Sequence, residues 1–270
     1  MKARIAVAVG MSFVLLMVLA PMARADWVSG MPAKWVQMPD LSPNGMDVNA
    51  TYNGPFPYVK VLADDFLCTQ TGPITDVHIW GSWLNDIVDP NATFKLSIHA
   101  DVPAGSDATY SHPGQELWRA YFEPGQYLKR PWATANEQFF EPNTNEIIGS
   151  DTQVFQYNFN IDPAVAFVQQ GDAAKPQVYW LDVQAVTAMG TVFGWKTSAI
   201  PTNFPSLDDA VFGDADYWNT PVSWSELIDP RTGTGTGQSL NMAFVITPEP
   251  ATLCLLGVGA LGLLARRRRK

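Results

Sequence analysis

The sequence predicts an all-β fold: an antiparallel β-sandwich, jelly-roll-like, with short helical turns. Short runs that alternate apolar and polar residues recur along the chain and are rich in aromatic and β-branched side chains. Twenty-one prolines and twenty glycines interrupt the chain too often for long helices. Strand-like runs with no helices between them argue for antiparallel sheets rather than βαβ units.

Taken in order, the chain opens with Lys2 and Arg4, an apolar run from Ile5 to Ala20, a breaking Pro21 and Ala23-Arg24-Ala25. This is the pattern of a secretory signal peptide, residues 1–25, with an N-terminal signal helix and cleavage after Ala25. Residues 26–57, rich in Pro, Gly, Asn and Met, read as an irregular segment. A β-sandwich ectodomain is expected over 58–247. Its strands are read at Val59–Cys68, Ile74–Trp83, Phe94–His99, Glu116–Phe122, Val154–Ile161, Gln177–Gln184, Thr191–Thr197, Asp209–Gly213 and Leu240–Thr247. Phe94, Leu96 and Ile98 point inward by their alternation. Short helical turns are expected over Ala164–Gln170 and Trp224–Ile228. The Thr-Gly repeat from Thr232 to Gly237 reads as a loop.

The last residues, 248–270, have three parts. Pro248-Glu249-Pro250 precedes an uncharged apolar run, 251–265, and then Arg266, Arg267, Arg268, Arg269 and Lys270. Fifteen apolar residues make a helix of about 22 Å, shorter than the roughly 30 Å hydrocarbon core but able to span it with local thinning. A transmembrane helix is therefore expected at 251–265, with the arginine run as a cytoplasmic stop and the ectodomain outside. These ordered features resemble the PEP-CTERM sorting signal of exported bacterial proteins. The resemblance implies that an exosortase-type transpeptidase reads Pro248, Glu249 and Pro250. It also implies a passage from the cytoplasmic membrane to the cell envelope or the extracellular space.

The runs Val61–Cys68, Ile74–Trp83, Val178–Val183 and Phe193–Ser198 are similar to an uncharacterised family of exported all-β ectodomains that often carry such tails. That resemblance implies the fold and brings no activity with it.

The whole chain carries 17 basic and 26 acidic residues. Without residues 1–25 and 248–270 the balance is 9 basic to 25 acidic, a net charge of −16. Binding to nucleic acid through charge is disfavoured, and cation binding is favoured. Cys68 is the one cysteine between the two ends, so no disulfide forms there, and it reads as a buried small apolar side chain.

Asp64, Asp65, Glu116, Asp182, Asp208 and Asp209 are the carboxylates weighed for glycoside hydrolysis. No ordered catalytic motif accompanies them, and no G-x-S-x-G elbow occurs. His78, His99 and His112 lack zinc-site spacing and read as ordinary strand and loop residues. Calcium has candidate oxygen donors in Asp64, Asp65, Asp208 and Asp209, and in Asp47 with Asn49 and Asp214 with Asp216, without any EF-hand loop. Among ten tryptophans, Trp132, Trp218 and Trp224 stand in Pro-rich loop sequence and are the candidates for a sugar-stacking platform. The expected role is a non-catalytic cell-envelope or matrix protein, sorted by its tail and contacting exopolysaccharide. The alternative is a secreted glycoside hydrolase-like enzyme on a β-sandwich.

Overall fold

The computed structural model describes residues 27–52, 61–188, 190–199, 209–213, 223–232 and 238–247. Their strands are β1 (Trp35–Gln37), β2 (Met46–Asn49), β3 (Thr51–Tyr52), β4 (Val61–Cys68), β5 (Gly72–Pro73), β6 (Asp76–Trp83), β7 (Thr93–Val102), β8 (His112–Phe122), β9 (Tyr127–Glu141), β10 (Glu146–Asn160), β11 (Val168–Gln169), β12 (Gln177–Val186), β13 (Phe193–Ser198), β14 (Val211–Gly213), β15 (Trp224–Glu226), β16 (Asn241–Met242) and β17 (Phe244–Thr247). The all-β class of the sequence reading holds.

The jelly-roll-like architecture does not. β6 pairs with β10, β10 with β9, β9 with β2, β2 with β13, and β13 returns to β6. This sheet closes on itself as a small five-stranded barrel, with β1 and β17 attached along the first half of β6. One seam of the ring, β2 with β9, is parallel. The second large sheet runs β15-β14-β4-β12-β7-β8, with β3 lying parallel to the end of β12. β5 and β11 form a separate two-stranded ribbon.

The two large sheets share one apolar core. Val77, Ile79, Tyr157, Phe159 and Phe244 enter it from the barrel side, and Leu62, Phe66, Leu96, Leu181 and Val183 from the other. Phe94 of β7 bridges the two, its ring centroid 5.0 Å from Tyr157, 5.4 Å from Phe159 and 5.0 Å from Phe193. Phe94, Leu96 and Ile98 point inward as their alternation predicts. Cys68 is buried and free, also as expected.

Several elements differ from expectation. The supposedly irregular segment 26–57 supplies β1, β2 and β3. β9 is a 15-residue strand where none was expected. Its Pro131 has no N–H to give a ladder, and it sits beside an irregular register step opposite Val154 and Phe155. Trp224–Glu226 is a strand instead of a helical turn, and residues 163–165 form a turn ahead of β11.

The signal helix at 1–25, the transmembrane helix at 251–265 and the membrane anchoring built on them are also corrected. Among the described residues no helix is long and apolar enough to cross a membrane, and both segments lie outside those residues.

Ring closure depends on close backbone approach where β13 meets β6. Ser82 lies opposite Gly194, and Gly81 opposite Trp195. A Cβ on Gly194 would lie 2.6 Å from the Phe139 ring and 2.8 Å from the Asp47 Cβ. A Cβ on Gly81 would meet the Gly194 carbonyl oxygen and the Phe193 ring. Gly194→Ala is expected to cost about 1–3 kcal/mol through overpacking. Urea unfolding of the variant checks this; an unchanged midpoint would mean that Phe139 yields without cost.

Candidate functional site

The barrel lumen is lined with charge. The β9–β10 register sets Glu137 opposite Asp151, and the β2–β13 register sets Asp47 opposite Lys196. Asp47 and Asp151 stand on strands that are not neighbours in the ring. Their carboxylates nevertheless meet, because one oxygen from each of Asp47, Glu137 and Asp151 lies within 4.8 Å of the others. Only side chains directed into the ring can do this. Asp47 and Lys196 are fully buried, and Asp151 and Glu137 nearly so.

Lys196 Nζ lies 2.8 Å from Glu137 Oε2 and 4.0 Å from Asp47 Oδ2. It also donates to the Met46 carbonyl oxygen at 3.3 Å. Burial first, and then the charges of Asp151 and Glu137, push the Asp47 carboxyl well above the usual carboxylate range, with Lys196 opposing. Burial and then Glu137 push Asp151 up to about 7, against Ser82 and Lys196.

Chemically, the cluster can hold a cation or share protons. No polymer substrate reaches side chains this enclosed. Among the described residues these three carboxylates are the group placed to hold a metal ion.

A second buried cluster lies across the other sheet. Asp182 of β12 faces Ser97 and His99 of β7, and accepts from His99 Nε2 at 2.9 Å. Lys95 Nζ stands 3.9 Å from the same oxygen. Burial disfavours the Asp182 anion, but Lys95 and then His99 and Ser97 outweigh it and hold the carboxyl at about 2. Burial pulls His99 down, and Asp182 more than reverses that, leaving the imidazole above its ordinary value.

Asp64 joins β1, β4 and β16. It accepts from Gln37 Nε2 at 3.0 Å, the Met242 amide at 2.6 Å and its neighbour's amide, Asp65 N, at 2.9 Å. Asp209 accepts from Asn241 Nδ2 at 2.8 Å and from the Ser239 hydroxyl. Asp65 is buried on β4. Asp208 lies outside the described residues. Asp64 and Asp209 are thus held by hydrogen bonds that tie strands and loops together.

Glu116 pairs with Arg119. The three histidines keep separate company: His78 with Asn158 and Asp76, His99 with Asp182, and His112 with Asp107. Trp132 is half-buried, edge-on to Trp80 at 5.2 Å, with the Arg130 guanidinium over its ring. Trp224 is buried. Trp218, the motif Pro248, Glu249 and Pro250, and Arg266 to Arg269 lie outside the described residues.

Sequence reasoning considered Asp47 for cation binding, but with Asn49 as its companion. It missed Glu137, Asp151 and Lys196. The signal for Glu137 was the alternation Glu137, Phe139, Glu141 within β9, a strand with a proline and two adjacent cations near its start.

One open cleft of about 920 Å³ lies near the barrel, lined in part by Asp40, Asn44, Gln138, Asp229, Arg231 and Ser239. Arg231 forks onto Asp229, Nε to Oδ1 at 2.9 Å and Nη2 to Oδ2 at 2.7 Å, and donates to the Asn44 carbonyl oxygen at 2.6 Å. Among the described residues no aromatic ring lines it.

A family model described as "Domain of unknown function (DUF7901)" matches residues 33–247. The chain belongs to the DUF7901 family. A second model, the PEP-CTERM protein-sorting motif, matches residues 247–270. No curated protein matches the chain. The DUF7901 domain thus runs directly into a sorting tail typical of exosortase substrates, as the sequence resemblances indicated. This is an exported protein whose tail implies processing by an exosortase-type enzyme.

The Asp182 cluster gives the DUF7901 domain a testable pH signature. The lowered Asp182 carboxyl contributes stability above the unfolded value of about 3.9, and that contribution is lost as pH falls toward about 2. The raised His99 contributes below about 6.5, and its share is lost as pH rises through its folded value. Asp182→Asn is expected to cost about 3 kcal/mol near pH 5.5, because it leaves buried Lys95 and His99 without their counter-charge. The difference in unfolding free energy between wild type and variant should shrink below pH 4 and above pH 7. A difference that stays flat from pH 2 to pH 8 would refute the pairing.

Proposed function

We propose that the DUF7901 domain is a non-catalytic module of the cell envelope or extracellular matrix, delivered by processing at its PEP-CTERM tail, and that it contacts exopolysaccharide. The observation that carries this reading is the direct abutment of domain and motif, which meet at residue 247. Whatever the sorting step releases is therefore the β domain itself.

The placement of the acidic residues supports a non-catalytic role. A glycosidase needs two carboxyl groups flanking a bound sugar at roughly 5 to 9.5 Å. Asp47, Glu137, Asp151, Asp64 and Asp182 are instead enclosed in the lumen or between strands. The aromatic route to sugar is weakened by the burial of Trp224 and by the packing of Trp132 on Trp80. The polar cleft around Arg231 suits sugar hydroxyls better: a fixed guanidinium, side-chain amides at Asn44 and Gln138, and the hydroxyl of Ser239 line one concavity.

Two measurements test the reading. Intact-mass analysis of the protein from cells that make an exosortase should give a C-terminus near Glu249; a chain that still ends at Lys270 overturns processing. In affinity electrophoresis through the host's exopolysaccharide, the wild type should be retarded and Arg231→Lys, which loses the planar fork, about tenfold less so. A wild type that runs freely overturns polysaccharide contact, and release of reducing ends from the polymer overturns the non-catalytic role.

A further inference from the structure

We propose that Asp47, Glu137 and Asp151 form a calcium site inside the barrel, bridging strands β2, β9 and β10. Three features of the lumen lead there.

The first is spacing. A spread of at most 4.8 Å between ligand oxygens is about twice a calcium–oxygen bond of roughly 2.4 Å, so one central ion reaches all three carboxylates. Magnesium, at about 2.0–2.1 Å and with a strict octahedron, would need the ring to contract.

The second is charge. With all three carboxyls ionised, as around a bound cation, they and Lys196 leave two negative charges in an enclosed volume. Buried charge without compensation is strongly unfavourable, and a divalent cation brings the lumen to neutrality. Lys196 does not fill this role alone. It stands 2.8 Å from Glu137 and 4.0 Å from Asp47, and ties Glu137 to one side of the lumen.

The third is the state of the ligand atoms. None of the six oxygens of Asp47, Glu137 and Asp151 receives a well-formed hydrogen bond. The Ser82 hydroxyl, fully buried and likewise without a well-formed hydrogen bond, faces Asp151 from β6. Asp64 is the internal comparison: equally buried, it receives three hydrogen bonds from protein donors. Asp64 has both carboxylate oxygens satisfied and Asp182 has one, whereas no oxygen of the lumen trio is satisfied by a well-formed hydrogen bond. Hard oxygen donors converging from three strands, with a hydroxyl beside them, are calcium's chemistry.

Such an ion clamps strands that come from distant parts of the chain. Asp47 precedes Glu137 and Asp151 by about ninety residues or more. Extracellular calcium modules bind at about 10⁻⁴–10⁻³ M, a range suited to an exported protein.

The test uses the full chain stripped with EDTA and titrated with CaCl₂ or MgCl₂, read by thermal unfolding and by isothermal titration calorimetry. One calcium per chain is expected, with Tm raised by roughly 5–10 °C at a hundredfold excess over Kd and a smaller response to magnesium. Asp151→Asn should abolish the calcium response while leaving Tm in EDTA equal to or above that of wild type, because it removes an uncompensated buried charge. Asp64→Asn should lower Tm in EDTA and keep the calcium shift, which separates loss of the site from loss of the fold. If Asp151→Asn does not fold, Glu137→Gln stands in its place. No calcium-dependent shift in wild type, a response that survives in both lumen variants, or an equal response to magnesium would each overturn the assignment.

Discussion

Three residue pairs decide the architecture. Phe193 opposite Trp83, Gly194 opposite Ser82 and Trp195 opposite Gly81 join β13 to β6, and without them the first sheet would be an open ribbon. β6 has β17 beside its first half and β13 beside its second, so one strand edge serves two partners in turn. Ala243 stands at this fork: its amide donates to the Lys196 carbonyl oxygen, and its own carbonyl oxygen accepts from Trp195 Nε1 at 2.8 Å. Closure creates an inside, and the inside is where Asp47, Glu137, Asp151 and Lys196 meet.

Much of the second sheet was legible in the sequence. Phe94-Lys95-Leu96-Ser97-Ile98-His99 alternates, and its apolar face meets the core. The other face of the same strand is buried too: Lys95, Ser97 and His99 are fully enclosed. Alternation reports two faces and does not say which of them sees water. The barrel was harder for the same reason. On β2, Met46 and Val48 go to the shared core while Asp47 goes to the lumen, so a four-residue strand with both faces buried looks like Pro- and Gly-rich irregular chain. β9 was hidden by Lys129-Arg130-Pro131 near its start. Pairing of distant strands, which brings Glu137 and Asp151 to Asp47, leaves no trace in the local pattern of any one of them.

The acidity of the chain acquires a different meaning once the fold is known. The sequence between the two terminal segments carries a net charge of −16, which disfavours nucleic acid and favours cations. Some of that acidity is internal: Asp47, Asp64, Asp151, Asp182, Glu137 and Glu141 are all buried. They divide by how they are satisfied. Asp64 is held by amide donors and Asp182 by buried cations. Glu141 accepts from Asn49 Nδ2 at 2.6 Å. The six oxygens of the lumen trio have no well-formed hydrogen bond, which sets these three apart from Asp64, Asp182 and Glu141.

β17 places a mechanical boundary at the junction with the tail. Phe244, Val245 and Ile246 are laddered on both sides, to β1 and to β6, and Thr247 still pairs with Asp76 of β6 at the last position of the domain match. An enzyme that reads Pro248-Glu249-Pro250 meets a strand held inside the sheet immediately upstream. Any processing at the motif therefore starts from a fixed strand, so the last ladder of the β domain bounds it on the N-terminal side.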